Sequence, residues 1–214
     1  MNMRKVRTYS SDTDLVKERR AHIVKTAVEM IVQKGYSDTS IRALSRKLGM
    51  STGGLYHYIG SKEDILYLIV NFTSDLTQQF LNDCEKLKDG SVSRHLRKCV
   101  RCYLESTEQN RNFFNFVNHI MLSLPASDRR IVYENESRIV AYFESLLRDG
   151  VEKGEFKAHD SKCLAHNIVV FTNAWANRGW YLKKYYSLEQ YTVEQTALVF
   201  SQLAAVPASN ILVR

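Results

Sequence analysis

The chain has 214 residues, 44% apolar and 25% charged, with 9 Gly and only 2 Pro. That composition suits a globular protein of one or two domains, able to bury roughly 70% of its unfolded surface, and it holds too few turn formers for an all-β fold. The net charge is +7, and no run approaches the ~18 consecutive apolar residues of a bilayer-spanning helix.

The charge is unevenly placed. Residues 1–62 hold 12 Lys+Arg against 5 Asp+Glu, whereas residues 63–214 hold 18 of each. A basic segment joined to a neutral body fits a polyanionic partner, and it equally fits a solvated basic face. The first residues, with Arg4, Lys5 and Arg7, read as a basic flexible arm. They lack the apolar stretch of a secretory signal, so the expected location is cytoplasmic. Cys84, Cys99, Cys102 and Cys163 are then expected to be free thiols.

Helical periodicity starts near Leu15 and runs to Lys34, with Ile23, Ala27, Met30 and Ile31 on one face and Val24 and Val28 beside them. Gly35 is the expected stop. Thr39 or Ser40 can cap a short helix carrying Ile41, Leu44 and Leu48, and Gly49 ends it. Ser51 or Thr52 can cap a second short helix, about two turns long, held by Leu55 and Ile59 and closed at Gly60. Ser61 with Asp64 forms an S-x-x-D box opening a third. Further helices are predicted near 62–87, 92–109, 111–123, 127–152, 160–185 and 190–205. The fold class is all-α, divided at about residue 65 into a basic head (1–65) and a larger helical body (66–214).

Two short helices joined by the tight turn "LGMST" form helix-turn-helix geometry, in which the second helix enters the major groove. Its apolar stripe is narrow, leaving Thr52, Gly53, Gly54, Tyr56 and His57 off the core-facing side. Glycine costs a helix about 1 kcal/mol relative to alanine, so the pair Gly53–Gly54 needs a reason. A backbone approaching a ligand closely supplies one.

The stretch "GYSDTSIRALSRKLGMSTGGLYHYIGSKEDIL" resembles the DNA-binding domain of the tetracycline-repressor (TetR/AcrR) family of bacterial transcription regulators. The run from Leu55 through Ile65 carries the most specific part, with Ile59 where the family more often has Phe. The resemblance covers about residues 18–68 and implies roles position by position. Arg42 would contact a phosphate or a base. Thr52, Gly53 and Gly54 would face base edges. Tyr56 would bond a phosphate, His57 would lie in the groove, and Lys62 would pair with a phosphate. Tyr58 would sit near the DNA backbone or pack under its own helix. The partner implied is a pseudo-palindromic double-stranded operator, read by two recognition helices roughly 34–36 Å apart.

The body is rich in rings, as in "NFFNFVNHIM" and "FTNAWANRGWYLKKYY". These fit an aromatic core, and they fit an apolar ligand pocket. The resemblance implies the pocket, with Phe113, Phe116, His119, Phe143, Phe171, Trp175 and Arg178 as candidate lining. It also implies a repressor released from its operator by a small-molecule inducer. The Trp-Tyr pair ahead of "SLEQ" resembles the acyl-CoA-responsive branch, which makes an acyl-CoA the leading inducer class; Arg178, Lys183 and Lys184 would suit its phosphates, and they equally fit a solvated helix end. A homodimer through the last two helices is implied, on stripes Leu164, Ile168, Phe171 and Val193, Ala197, Phe200. A buried intramolecular face would show the same stripes.

His95, Cys99 and Cys102 fall at i, i+4 and i+7 of one helix, a spacing that could gather three ligands, or small residues filling a helix face. No fourth ligand is near. No hydrolase, phosphate-loop or zinc-protease signature occurs, so neither an enzyme nor a resident cofactor is expected. A helical scaffold or DNA-architectural protein is the alternative, separable by the lack of salt-dependent, sequence-selective DNA binding.

Overall fold

The computed structural model describes residues 13–204; the basic arm with Arg4, Lys5 and Arg7 lies outside them. Within the described residues ten α-helices follow one another: α1 (Thr13–Lys34), α2 (Ile41–Lys47), α3 (Thr52–Tyr56), α4 (Glu63–Lys86), α5 (Val92–Gln109), α6 (Arg111–Ile120), α7 (Ala126–Glu152), α8 (Ser161–Asn177), α9 (Gly179–Leu182) and α10 (Leu188–Leu203). One 3₁₀ turn, Met121–Ser123, follows α6. Among the described residues there is no strand, and the fold is all-α.

The chain divides into two compact units, residues up to 76 with 112–133, and 77–111 with the residues from 134 on. The compact units therefore do not part at residue 65. α6 supplies the physical reason. Its Phe113, Phe116 and Val117 are buried in one cluster with Ile65, Leu68, Ile69 and Phe72 of α4, and the Phe72 and Phe113 rings meet edge-on with centroids 4.9 Å apart. That cluster also takes in the α1 stripe Ile23, Val24, Ala27, Val28, Met30 and Ile31, as its spacing predicts. Each Val, Ile, Leu, Phe or Met side chain there is worth about 1.5–3 kcal/mol when fully buried.

In the second unit α5 packs against α8 and α10. Its buried face runs Val92, His95, Leu96, Cys99, Val100, Tyr103, Leu104 and Thr107, a full amphipathic stripe. Leu164 and Ile168 of α8 are buried in this same core, so the intramolecular alternative holds for that stripe. Phe200 of α10 is partly buried and lies under the Arg97 guanidinium, 3.6 Å from its centroid. Val193 and Leu198 stay 53% and 58% exposed, with Val170 of α8 at 50%. The long helix expected over 160–185 breaks at Arg178, whose φ of −114° and ψ of 16° leave the helical region. The following turn is drawn back by Lys183, whose ammonium donates to both Glu108 oxygens (2.6 and 2.7 Å). The Trp175 indole N–H donates to the same carboxylate at 2.8 Å. Burial pushes the Glu108 carboxyl up, but the hydrogen bonds from Lys183 and Trp175 outweigh it and hold it below the ordinary value.

The end of α7 shows why one glycine sits inside a helix. The chain turns through Gly154 (φ +73°) and lays Phe156 on Gly150. A Cβ on Gly150 would stand 2.0 Å from a Phe156 ring carbon. The same turn aims Glu155 at the start of α5. Its carboxylate accepts from the Val92 N–H (2.9 Å), the Ser93 N–H (2.8 Å) and the Ser91 hydroxyl (3.1 Å). Those backbone bonds hold the carboxyl below its ordinary value.

Two outcomes follow from this corner. Alanine gains about 1 kcal/mol over glycine in a helix, whereas overpacking a filled core costs about 1–3 kcal/mol. Gly150→Ala is therefore expected to lower the urea midpoint. The depressed Glu155 carboxyl contributes stability that is fully present above the unfolded value near 4.3 and is lost as pH falls through the lower folded value. Thermal melts of wild type and Glu155→Gln are expected to differ at neutral pH and to converge in acid.

Candidate nucleic-acid interface

α1 ends at Gly35, whose φ of +85° few residues but glycine adopt. Of the two candidate caps for α2, Ser40 serves, its hydroxyl accepting from the Ala43 N–H at 3.1 Å. Thr39 instead donates its hydroxyl back to the Gly35 carbonyl (2.9 Å). α2 buries Leu44 and Ser45. The Ser45 hydroxyl donates to the Arg42 carbonyl (3.1 Å) and lies 3.3 Å from the Thr52 hydroxyl. The turn closes at Gly49 (φ +67°), with the Met50 N–H donating to the Ser45 carbonyl at 2.9 Å.

α3 is shorter than its apolar spacing predicts. Ser51 caps it, accepting from the Gly54 N–H at 2.9 Å, and the helix closes at Tyr56, with His57 as its C-cap. Ile59 lies beyond the helix, yet it and Leu55 are fully buried, so both hold the segment down from two different backbone geometries. The reason for the early end lies in Asp64. Its carboxylate accepts from the Gly60 and Ser61 amides (2.8 and 3.1 Å) and pulls the chain out of α3 and into α4. Asp64 is 6% exposed. Arg20 of α1 reinforces the same junction, its Nε donating to the Tyr58 carbonyl at 3.1 Å.

The side chains expected at DNA separate into two groups. Arg42, Gly53, Tyr56 and His57 are exposed. Thr52, Gly54, Tyr58 and Lys62 are half-buried. Thr52 is oriented by Ser45. Tyr58 packs against the head core, which is the second of its two expected placements. Lys62 donates to the Ser37 carbonyl at 3.1 Å and lies 4.5 Å from the centroid of the Tyr36 ring. Tyr36 in turn donates its hydroxyl to the Lys62 carbonyl (3.3 Å). Burial raises the Tyr36 phenol, which favours the neutral donor this bond needs. Tyr36, Arg20 and Ser45 position the interface without having been singled out in the sequence. The Gly-Tyr pair after α1 carried the only local signal for Tyr36; the other two act through long-range hydrogen bonds.

The two glycines of α3 also differ. A Cβ on Gly53 would meet nothing within 4 Å, whereas one on Gly54 would stand 3.1 Å from the Ser51 hydroxyl. No neighbour within the fold leaves the space above Gly53 too small for a side chain.

The seven candidate pocket residues do not assemble into one lining within either unit. In the first, Phe113 is core, while Phe116 and His119 border a cavity of about 740 Å³ between the C-terminal part of α1 and α6. In the second, Phe143 is wholly buried among the rings of Phe80, Tyr103 and Tyr142. Trp175 is buried against Tyr191, with centroids 5.0 Å apart. Phe171 is half-buried, and its carbonyl accepts the Tyr191 hydroxyl at 2.9 Å. Arg178 is exposed at the helix break. Lys183 is held by Glu108 and Lys184 lies 6.0 Å from the Trp180 ring centroid. Rings at helical spacing went largely into core. A separate cavity of about 440 Å³, bordered by Glu85, His95, Tyr142 and Lys153, has none of the seven. Among the described residues, no group of three or more His, Cys, Asp or Glu side chains is arranged to hold a metal ion, and no helix is long and apolar enough to cross a membrane.

A short capped helix held over a buried base, with a basic surface around it, defines a helix-turn-helix DNA-binding protein. Residues 23–67 match the family model "Bacterial regulatory proteins, tetR family", and residues 89–184 match the "Tetracyclin repressor-like, C-terminal domain". The chain belongs to the TetR family of transcription regulators, which are not enzymes. It is 28% identical to the HTH-type transcriptional regulator HbdR of Aromatoleum sp. (strain CIB) over 91% of this chain and 84% of that one. Among solved structures, the TetR-family regulator PfmR of Thermus thermophilus superposes with a TM-score of 0.69 at 26% identity, covering 86% of this chain and 99% of that one. AibR, solved in complex with isovaleryl coenzyme A and operator DNA, shares the fold with a TM-score of 0.66 at 21% identity, over 86% of this chain and all of that one.

Removing the Asp64 carboxylate would strand two amides at a partly buried junction, and each buried, unsatisfied polar group costs about 1–3 kcal/mol. Asp64→Ala is expected to lower the urea midpoint with an unchanged slope, measured by helical circular dichroism.

Proposed function

We propose that the chain is a homodimeric repressor that reads a pseudo-palindromic operator through α3 and leaves it when a small-molecule inducer binds. The observation that carries this reading is the outward face of the head. Arg42, Tyr56 and His57 are exposed around a helix start whose Gly53 has open space above it, and the whole +7 charge excess lies within residues 1–62. Positively charged side chains displace counterions from phosphates, while base edges set the sequence. In this reading Thr52, Gly53 and Gly54 lie against base edges. Arg42 and Tyr56 take phosphates, and His57 lies in the groove. Lys62 approaches a phosphate from its seat on Tyr36, and Tyr58 acts from beneath.

The inducer we propose is an acyl-CoA. The Trp180-Tyr181 pair ahead of "SLEQ" supports that class, as does the isovaleryl coenzyme A bound by AibR. With Lys183 paired to Glu108, Arg178 and Lys184 are the cations left for the CoA phosphates. The signal would travel along α4, which follows Lys62 directly and continues unbroken to Lys86. An acyl-CoA acts as inducer only by favouring the state with lower operator affinity. The dimer face we propose is the exposed apolar strip of α8 and α10, with Val170, Val193 and Leu198. The repressor would work in the cytoplasm.

The test is a mobility-shift titration on the DNA flanking the chain's own gene, at several salt concentrations. Operator binding is expected to weaken linearly in log–log salt. Gly53→Ala is expected to melt no lower than wild type, because alanine is the better helix former. It should nonetheless lose about tenfold or more in operator affinity, the scale of one spoiled base contact at about 1–3 kcal/mol. Unchanged sequence-specific binding in both Gly53→Ala and Tyr56→Ala would sink the assignment of α3. An acyl-CoA that binds the protein and leaves operator affinity unchanged is excluded as inducer.

A further inference from the structure

A pair of hydroxyls ties α2 to α3, and the tie has a direction. Ser45, in the last turn of α2, is 3% exposed. Its hydroxyl oxygen lies 3.1 Å from the Arg42 carbonyl oxygen and 3.3 Å from the Thr52 hydroxyl. A serine hydroxyl has one proton to give and two lone pairs to receive with. A carbonyl oxygen only accepts, so the contact with Arg42 is a hydrogen bond only when Ser45 donates. That spends the one proton of Ser45. The contact with Thr52 is then a hydrogen bond only when Thr52 is the donor. The opposite order would set the lone pairs of Ser45 against those of the Arg42 carbonyl. One proton order satisfies both contacts.

The backbone holds that order in place. The Met50 N–H donates to the Ser45 carbonyl at 2.9 Å, so the turn that delivers Thr52 is fastened to the residue that receives its proton. Thr52 is the first residue of α3 and is half-buried. With its proton committed to Ser45, it has oxygen lone pairs and a methyl group left to offer a ligand.

We propose that Ser45 makes Thr52 an acceptor-only reader, which selects adenine or cytosine over guanine or thymine at the base it faces. This rests on the reading that places Thr52, Gly53 and Gly54 against base edges, and it deepens that reading. Of those three residues Thr52 alone has a hydrogen-bonding side chain. In the major groove adenine and cytosine present amino groups, N6–H₂ and N4–H₂, whereas guanine and thymine present the keto oxygens O6 and O4. An amino group donates to the Thr52 oxygen. A keto oxygen in its place meets that oxygen lone pair to lone pair. To donate to a keto oxygen, Thr52 must release Ser45, whose burial keeps water from taking the vacated place. A buried polar group left with fewer partners counts against that arrangement. Ser45 touches no base; it is a positioning residue that acts through the Thr52 hydroxyl.

The experiment titrates the full chain by mobility shift on the operator beside its own gene. Each base pair of one half-site is replaced in turn by the other three, with the same change in the second half-site. Wild type is expected to prefer adenine or cytosine over guanine or thymine at one position by about tenfold, within what one mismatched base pair costs. Thr52→Val keeps the shape and drops the hydroxyl, and it is expected to lose that preference while keeping the rest of the pattern. Thr52→Ser keeps the hydroxyl and is expected to retain it. Ser45→Ala frees the Thr52 proton, and is expected to shrink the preference severalfold at that position alone. A Ser45 that is merely structural would weaken binding to every sequence alike. That uniform loss, or an unaltered preference in Ser45→Ala, overturns the inference while the operator reading stands. So does a wild-type preference for guanine or thymine at the position that Thr52→Val alters, or a Thr52→Val pattern identical to wild type. If Ser45→Ala does not fold by circular dichroism, the wild-type, Thr52→Val and Thr52→Ser patterns decide. If wild type discriminates no sequence, the repressor reading fails and this inference fails with it.

Discussion

One buried carboxylate sets the geometry of the DNA-binding head. Asp64 takes the amides of Gly60 and Ser61, so the chain cannot continue as helix beyond α3 and must turn directly into α4. That clasp fixes how far α3 extends, where Ile59 goes down into the core, and where α4 begins. Arg20 gives the junction a second tie through the Tyr58 carbonyl. A five-residue helix has almost no stability of its own; this one persists because Leu55, Ile59 and Asp64 hold it from below. Its outer residues are consequently free of packing duty, which is what a reading surface requires.

Local contacts orient two of the head's cations. Lys47 pairs with Glu29 at 2.9 Å on the surface, a contact worth about 0–1 kcal/mol. Lys62 sits on the Tyr36 ring and the Ser37 carbonyl. These contacts orient the cations weakly enough for a phosphate to compete. In the second unit the contrasting case is Lys183, held by two short bonds to a carboxylate that Trp175 also binds. That lysine is structural, closing the break between α8 and α9.

Local pattern and long-range contact were unequally legible in the sequence. The α1 stripe, the turns at Gly35 and Gly49, the Ser40 and Ser51 caps and the burial of Leu55 and Ile59 follow from spacing and backbone chemistry, and each is present. The family match rests on the same short-range signals. Spacing overextended α3, because Leu55 and Ile59 fit a helical i, i+4 pair while Asp64 ends the helix first. It also ran α8 through Arg178, since nothing nearby in sequence announces Glu108. Phe143 and Trp175 are rings, and rings bury wherever a core has room. Leu164 and Ile168 were open to either an intermolecular or an internal role, and contact with α5 decided it. His95 gave no sign of the buried hydrogen bond it makes to Cys84.

The central claim, that α3 is the reading element of a two-fold symmetric operator-binding protein, is tested most directly by selection from a random duplex library with the purified chain. The account predicts enrichment of an inverted repeat whose half-site centres lie about one helical turn apart, roughly 34–36 Å. Enrichment of no motif, or of a single unrepeated site, would contradict it.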